Sequence, residues 1–310
     1  MKKQMNMKGM NKMRITTNRL MKFLTKSQED MWHTIYSHSY NTSKYNKFSN
    51  LGNFIYYKLN SDEVRPLLVC HLDTCNDGGV LPTDLQLIDN IISLKETQPY
   101  VCLGGDDRVG VTILLTLLEE NFNCDFLFTC NEEIGGVGAK AFAESVHTEA
   151  NNWSYVLEID RKGINHIASY GYDNDELTQL IGLPVERGSY TDLVDICEAS
   201  GVAGYNLACG YDKQHTTKET INLLEVDTCV SQIVCMLENP SFKKVFDNNF
   251  VGYKMSKYTN YDFNRYDYDD VEFCSWCGEF RDKEELNELT ICKTCMVEDE
   301  KYIKDYYGIS

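Results

Sequence analysis

The feature that most constrains the fold is a series of short apolar segments separated by stretches with helical periodicity. Residues 53–59, 66–72, 125–130 and 154–159 have the length and composition of strands, and the last three are almost continuously apolar. Helices are expected at 14–36, 109–120, 137–146, 176–181, 191–199 and 224–237. Strands that alternate with helices in this way predict an α/β domain built on a mostly parallel sheet.

Composition narrows the classes of protein that remain. The net charge of −17 disfavours a nucleic-acid-binding protein, and a hydrophobic content of 43% indicates a packed domain. The longest apolar run, residues 109–118, is too short to cross a membrane, and a secretory signal is not expected because no long apolar segment follows the basic residues at the start. With no export signal, most of the thirteen cysteines are expected to be reduced thiols in a cytoplasmic protein without a membrane partner.

A change in composition divides the chain. Residues 1–245 are predicted to form the main α/β domain, with the first dozen (1–12) expected to be disordered. The polar stretch 246–270 is predicted to be a linker, and 271–310 a small module with its tail. In that module, two C-x2-C pairs predict a non-catalytic, structural zinc ion and a small zinc-ribbon-like fold that could dock a protein partner; their ligands are Cys274, Cys277, Cys292 and Cys295.

Polar residues with metal-binding chemistry follow the ends of the apolar strands. Asp73 lies two positions after His71 and points to the same side of the strand, where it can orient the imidazole while the other ring nitrogen binds a metal. Asp106 and Asp107 follow two glycines and precede an apolar helix, so one can cap the helix while its neighbour bridges two cations. Taken alone, each pair also fits a surface ion pair or a plain helix cap.

Two adjacent carboxylates stand at the end of another buried strand. Glu132 and Glu133 would repel each other and lose hydration there unless a cation or a proton compensates them. One of them can bind a metal while the other serves as general base. Asp160 ends a further apolar strand, and His215 lies in a polar loop before the last helix. The prediction of a metal site depends on the ordered set, because a lone loop histidine is usually without function.

The order of these motifs resembles that of the co-catalytic zinc peptidases of the M20, M28 and M42 families. The resemblance covers about residues 66–225, and its motifs are HxD at 71–73, GGDD at 104–107, NEE at 131–133, ExD at 158–160 and GY-x3-HTT-x-E at 210–219. It implies a phosphorylase/hydrolase-like fold, a three-layer α/β sandwich with a central, mostly parallel mixed sheet. It also implies two zinc ions, one held by His71 and Asp160, the other by Glu133 and His215, with Asp106 as the bridge.

The resemblance further implies hydrolysis of an amide bond by a water shared between the metals. Glu132 would be the general base, and Asp73 would orient His71. An aminopeptidase or dipeptidase acting on small peptides is therefore expected. An N-acyl amino-acid amidohydrolase would share every metal ligand, so it remains an alternative. A non-catalytic binding protein that recruits partners through the C-terminal module is another, although the retained base argues against it.

One departure from the family pattern concerns the lid. M20 enzymes usually carry a lid or dimerisation domain between the fourth and fifth ligands, whereas only 54 residues, 161–214, separate Asp160 from His215 here. The expected architecture is therefore lidless and M28-like, or that of a lidless M20 or M42 relative. The lid-borne histidine that helps to stabilise the oxyanion is then missing, and its candidate replacements are His166, Tyr190 and Tyr211.

Overall fold

The structure, a computed structural model, describes residues 14–76, 79–96, 101–149, 151–188, 190–249, 271–273 and 280–282. The chain divides into two units, residues 1–249 and 250–310. The predictions for the first dozen residues, for positions 250–270 of the linker and for the four cysteines of the C-terminal module lie outside the described residues.

The elements follow in this order: α1 Thr17–Phe23, α2 Gln28–Tyr36, β1 Tyr45–Asn50, β2 Phe54–Leu59, β3 Arg65–His71, β4 Leu85–Ile88, β5 Ile91–Leu94, α3 Gly105–Glu119, β6 Asp125–Thr129, α4 Val137–Ala143, α5 Val146–Glu149, β7 Trp153–Arg161, β8 Ile167–Ser169, α6 Asp175–Ile181, β9 Val185–Arg187, α7 Asp192–Ser200, β10 Gly204–Ala208, β11 Tyr211–Asp212, β12 Thr220–Asn222, α8 Leu223–Glu238, β13 Val271–Phe273 and β14 Phe280–Asp282. A 3-10 turn at Pro240–Phe242 follows α8. No helix of the described residues is long and apolar enough to cross a membrane.

Eight strands form the central sheet of the first unit, in the order β1-β2-β6-β3-β7-β10-β8-β9. The four middle strands β6, β3, β7 and β10 are parallel, while the β1–β2, β2–β6 and β10–β8 pairs are antiparallel. Strands β3 and β6 are buried along their whole length, which explains their continuous apolar sequences. Because parallel strands end at one edge, residues that follow them are brought together.

Helices cover both faces of this sheet and bury two apolar clusters. On one face Leu114 of α3 and Ile233 of α8 belong to the larger cluster. On the other face Phe142 of α4 and Ile196 of α7 belong to the smaller cluster. The three-layer α/β sandwich with a mixed, mostly parallel sheet is confirmed.

A buried ion pair fixes the end of the sheet away from these strand ends. Arg65 donates from Nε to Asp125 Oδ1 at 2.7 Å, and both side chains are almost fully buried. The same carboxylate accepts hydrogen bonds from Tyr56, Trp153 and the backbone N–H of Leu59. Every lone-pair direction of this carboxylate is thereby used, as a buried charge requires.

A second, four-stranded sheet has the order β11-β12-β5-β4 and was not predicted. Its β4–β5 hairpin turns at Asp89 and Asn90, which both have positive φ angles, of 50° and 68°. A two-residue hairpin turn whose twist matches that of its strands requires a positive φ angle at both central residues. This sheet carries the loop between β11 and β12, on which His215 lies.

The helix predicted over 14–36 is two helices, because the chain leaves the helical conformation between α1 and α2. The other predicted strands and helices are present, with ends that shift by a few residues. Phe246, assigned by sequence to the linker, is buried, and its backbone exchanges hydrogen bonds with Ser154 and Ala203. The first unit therefore extends beyond residue 245. In the second unit, β13 and β14 pair as an antiparallel hairpin.

Candidate active site

The candidate residues converge at the carboxyl edge of the parallel strands. His71 is the last residue of β3, Glu132 and Glu133 follow β6, and Asp160 lies near the end of β7. Asp106 lies at the start of α3, where its backbone is not yet helical (φ −78°, ψ 101°). These elements come from different parts of the chain, and His215 joins them from the β11–β12 loop.

Asp106 stands between the two histidines. Its Oδ1 lies 2.9 Å from His71 Nε2, and its Oδ2 lies 3.4 Å from His215 Nε2. Asp160 Oδ1 is 3.6 Å from His71 Nε2, and Glu133 Oε1 is 3.0 Å from His215 Nε2. Two groups of potential ligands thus share one central carboxylate. That is the arrangement in which one aspartate can bridge two cations.

Asp73 connects two of the strand ends. Its Oδ1 lies 3.3 Å from His71 Nδ1, the ring nitrogen that faces away from Asp106. The same carboxylate accepts hydrogen bonds from the backbone N–H groups of Glu132 and Glu133, at 3.0 Å each. Asp73 therefore sets both the orientation of the imidazole and the position of the two glutamates.

Two buried side chains support the other ligands. Glu219 accepts hydrogen bonds from the backbone N–H groups of Gly104 (2.8 Å) and Asp106 (3.2 Å), so it holds the loop that presents Asp106. Tyr211 donates from its hydroxyl to Asp160 Oδ1 at 3.0 Å. Neither contact was predicted, although Glu219 is the last residue of the HTT-x-E motif. Gly104 and Glu219 are 115 positions apart, and a contact between such distant residues leaves no local pattern in the sequence.

A glycine permits the close packing that brings Asp106 and Asp160 together. A Cβ on Gly110 of α3 would collide with the carbonyl oxygen of Ile159 in β7 and with the Asp107 side chain. Only glycine allows helix and strand to approach so closely. Asp107 itself accepts the N–H of Gly110 at 2.9 Å and caps the helix. The two adjacent aspartates thus have the separate positions that the sequence suggested, one at the cluster and one at the cap.

The site contains several buried carboxyl groups, and the two histidines are basic side chains that the structure places among them. Burial raises the pKa of Glu132 well above its ordinary value, with further increases from Asp192 and Asp160. Burial and the neighbouring Asp106 raise the pKa of Asp160 to about 7. Burial also favours a higher pKa for Asp106, but its hydrogen bonds to His215 and His71 outweigh that effect and lower it. Such an excess of buried carboxylates requires protons or cations for compensation.

The pKa values of the two histidines are also raised, although burial alone would lower them. Burial acts to lower the pKa of His71, yet the surrounding carboxylates, Asp160 first, raise it well above its ordinary value. For His215, burial is likewise outweighed by Glu133 and Asp106. The donor set of imidazole nitrogens and carboxylate oxygens is the one that zinc and similar divalent cations prefer. A cation between these groups would supply the positive charge that the buried acids lack, so the residues fit a metal site.

The three candidates for oxyanion stabilisation occupy different surroundings. Tyr211 is buried and uses its only proton on Asp160. His166 Nε2 lies 3.4 Å from Glu186 Oε2, in an ion-pair group that includes Arg161. Tyr190 is part-exposed and donates to Asp195 at 2.8 Å. Its ring hydroxyl lies over the Gly136 backbone, in the loop that follows the two glutamates. Of the three, Tyr190 has an accessible ring and borders the loop that follows Glu132 and Glu133.

No role was predicted for Cys75. Its Sγ, a carboxylate oxygen of Glu133 and a ring nitrogen of His215 lie within 4.8 Å of one another. His71, Asp106 and Asp160 form the other group of this kind among the described residues. Cys75 is also disulfide-bonded to Cys102, whereas reduced thiols were expected. Sequence spacing could not have paired them, because 27 residues separate the two and part of that stretch forms the second sheet.

Comparisons with known proteins agree with this architecture. Residues 52–152 match the family model described as M42 glutamyl aminopeptidase. No curated protein matches the chain. The solved structure of aminopeptidase PepT from Bacillus cereus is similar, with 16% identity, a TM-score of 0.53, and coverage of 72% of this chain and 98% of that chain. A tripeptidase from Staphylococcus aureus has 13% identity, a TM-score of 0.53, and coverage of 71% and 97%.

The TET aminopeptidase of a marine sediment archaeon of the Thaumarchaeota is also similar, with 10% identity, a TM-score of 0.54, and coverage of 72% of this chain and 96% of that chain. At these identities the likeness concerns the fold. The M28-like branch expected from the short 161–214 interval is wrong, because the matched family is M42. A short interval excludes a lid domain at that position but does not distinguish M28 from M42 proteins. The fold and the matched segment together indicate a peptidase, and residues 52–152 are similar to the M42 branch.

Proposed function

We propose that this chain is a two-metal aminopeptidase that removes residues from the free amino end of small peptides. The observation that carries the proposal is the position of Asp106, with one oxygen 2.9 Å from His71 and the other 3.4 Å from His215. A carboxylate that faces two histidines from its two oxygens is suited to bridge two cations. The aminopeptidases and the tripeptidase with the same fold support the choice of substrate.

The ligands divide into two sets around that bridge. His71 and Asp160 would hold one ion, and Glu133 and His215 would hold the other. Zinc is the proposed metal at both positions because imidazole and carboxylate groups form its usual hydrolytic sites. When bound, the two ions polarise the substrate carbonyl and lower the pKa of water.

The remaining steps belong to residues of this chain. Glu132 takes a proton from the attacking water and passes it to the leaving amine. Its place beside Glu133 is fixed by Asp73, which holds the backbone N–H groups of both glutamates. Burial raises the pKa of Glu132, which is the direction that favours the later return of the proton to the leaving amine.

We also propose that Cys274, Cys277, Cys292 and Cys295 bind a structural zinc ion. Four thiolates leave no open coordination position, so this ion would stabilise the C-terminal module, which could dock a protein partner. Zinc analysis of a Cys277→Ser variant provides the test. The variant should lose the most tightly held equivalent and keep its peptidase activity, whereas an unchanged zinc content would refute the assignment.

A substrate screen with and without a chelator tests the proposed activity. The panel contains peptides with a free amino end, the same peptides with an acetylated amino end, and N-acyl amino acids. Hydrolysis should occur with the free-amino peptides alone, cease after chelation and return when zinc is added. Hydrolysis of N-acyl amino acids in place of peptides would instead identify a deacylase. Cleavage that survives chelation would contradict a metal-dependent mechanism.

A further inference from the structure

A thiol lies within reach of one of the two proposed metal positions. Cys75 Sγ, Glu133 and His215 present ligand atoms within 4.8 Å of one another. Cys75 is exposed, and it follows Asp73, the residue that positions Glu133. Thiolate sulfur is a strong zinc ligand, so Cys75 would strengthen the position that Glu133 and His215 form with the bridging Asp106.

The partner of this thiol is held in place independently of the sulfur–sulfur bond. Asn76 Nδ2 donates to the Cys102 carbonyl oxygen at 2.8 Å, and the Cys102 N–H donates to Asn76 Oδ1 at 3.1 Å. This reciprocal pair joins the segment after His71 to the segment before Asp106. The two cysteines are therefore kept near each other in either redox state. Cys102 is buried, whereas Cys75 is accessible.

We propose that Cys75 is a redox-dependent ligand of the metal position formed by Glu133 and His215. In the reduced protein the Cys75 sulfur binds the metal as a thiolate. In the oxidised protein the same sulfur is bonded to Cys102, as in this structure, and no longer offers a thiolate to the metal. The inference rests on the proposed two-metal site and adds a reversible control of its occupancy.

The oxidation is a thiol–disulfide exchange with a low-molecular-weight disulfide such as oxidised glutathione. The accessible Cys75 thiolate attacks that disulfide, forms a mixed disulfide and releases one small thiol. The Cys102 sulfur, as a thiolate after loss of its proton, then attacks the Cys75 sulfur and releases the second. Two protein thiols are oxidised and one small disulfide is reduced to two thiols. An accessible cysteine beside a buried resolving cysteine is the usual arrangement of a redox-sensitive pair.

Metal titration of the full chain in both redox states tests this role. The C-terminal cysteines are first loaded with zinc, and cobalt is then titrated into the remaining sites under reducing conditions or after treatment with oxidised glutathione. The wild type is compared with Cys75→Ala, with Cys102→Ala under reducing conditions, and with Cys235→Ala as a control. Cys235 is a free, partly buried cysteine on α8. The readouts are the affinity of each cobalt equivalent and the thiolate-to-cobalt charge-transfer absorption in the near ultraviolet.

The reduced wild type, Cys102→Ala and Cys235→Ala should bind both cobalt equivalents and show the charge-transfer band. Cys75→Ala should lack the band and bind one equivalent about 100-fold more weakly, since even outer partners of a ligand change affinity about 10–100-fold. The oxidised wild type should match Cys75→Ala, whose affinity should not respond to oxidation. Equal binding by Cys75→Ala and the reduced wild type, without a band in either, would overturn this inference alone. A reduced wild type that binds only one cobalt would overturn the two-metal site and this inference with it.

Discussion

The Oδ2 atom of Asp73 accepts a hydrogen bond from the backbone N–H of Glu133 at 3.0 Å. Its Oδ1 atom holds the neighbouring Glu132 N–H in the same way and lies 3.3 Å from His71 Nδ1. One carboxylate thus links the end of β3 to the loop after β6. The two strands are parallel neighbours, so this link holds His71 and Glu132, the proposed ligand and the proposed general base, in a fixed relation.

Replacing Asp73 with Asn should disturb both sides of that link. An amide offers one acceptor oxygen, and its NH2 group would face a backbone N–H that needs an acceptor. We expect metal affinity to fall about 10–100-fold and kcat/KM to fall with it. Asp84→Asn, at an exposed carboxylate 3.9 Å from Lys95, is the matched control and should change neither quantity. Wild-type metal affinity in Asp73→Asn would show that the link does not position the ligands.

Replacing Glu132 with Gln should separate metal binding from proton transfer. The amide keeps the shape of the side chain but cannot accept the proton of the attacking water. Loss of a general base typically lowers kcat about 10²–10⁴-fold. The metal content, measured by elemental analysis, should remain that of the wild type. Glu133→Gln provides the contrast, because it should lose metal as well as activity; full activity in Glu132→Gln would refute the base assignment.

Metal binding should release protons. The pKa values of His71 and His215 are raised in the metal-free protein, despite their burial, by the surrounding carboxylates. Protonated histidines therefore stabilise the folded, metal-free protein. This stabilisation is complete below the ordinary histidine pKa of 6.5 and is lost as the pH rises through the pKa of the folded state. Metals bind only neutral imidazole, so metal affinity should increase with pH. Calorimetry near pH 7 in buffers of different ionisation enthalpy measures the proton release; an enthalpy independent of buffer would contradict it.

The Arg65–Asp125 pair should be important for stability rather than for catalysis. Asp125→Ala leaves a buried guanidinium without its carboxylate and removes the acceptor of three further hydrogen bonds. We expect a loss of about 3–5 kcal/mol in the free energy of unfolding, measured with urea on the metal-free protein. Asp84→Ala, at an exposed pair, should change it by less than about 0.5 kcal/mol. A loss below about 1 kcal/mol in the free energy of unfolding of Asp125→Ala would contradict the importance of this ion pair for stability.

The sequence predicted the central sheet because β3, β6 and β7 are buried and nearly apolar, which leaves a clear local pattern. His71, Asp106, Glu133 and Asp160 could be chosen because each one ends or follows such a strand or a glycine turn, whereas His215 was chosen from the HTT-x-E motif. The second sheet was missed because its strands are short and part-exposed. The hairpin turn at Asp89 and Asn90 was its available signal.

Other features depend on contacts between distant residues. Glu219 lies just before β12, so its contacts with the backbone of Gly104 and Asp106 depend on where the second sheet places it. The pairing of Cys75 with Cys102 depends in the same way on the course of the intervening chain. Such contacts have no periodicity or spacing that sequence inspection can detect.

The central claim is that Asp106 bridges two metal ions. It is tested most directly by anomalous diffraction at the zinc edge from crystals of the zinc-loaded full-length protein. Two anomalous peaks should flank the Asp106 carboxylate, one beside His71 and Asp160 and the other beside Glu133 and His215. A single peak, or two peaks of which neither contacts Asp106, would contradict the claim.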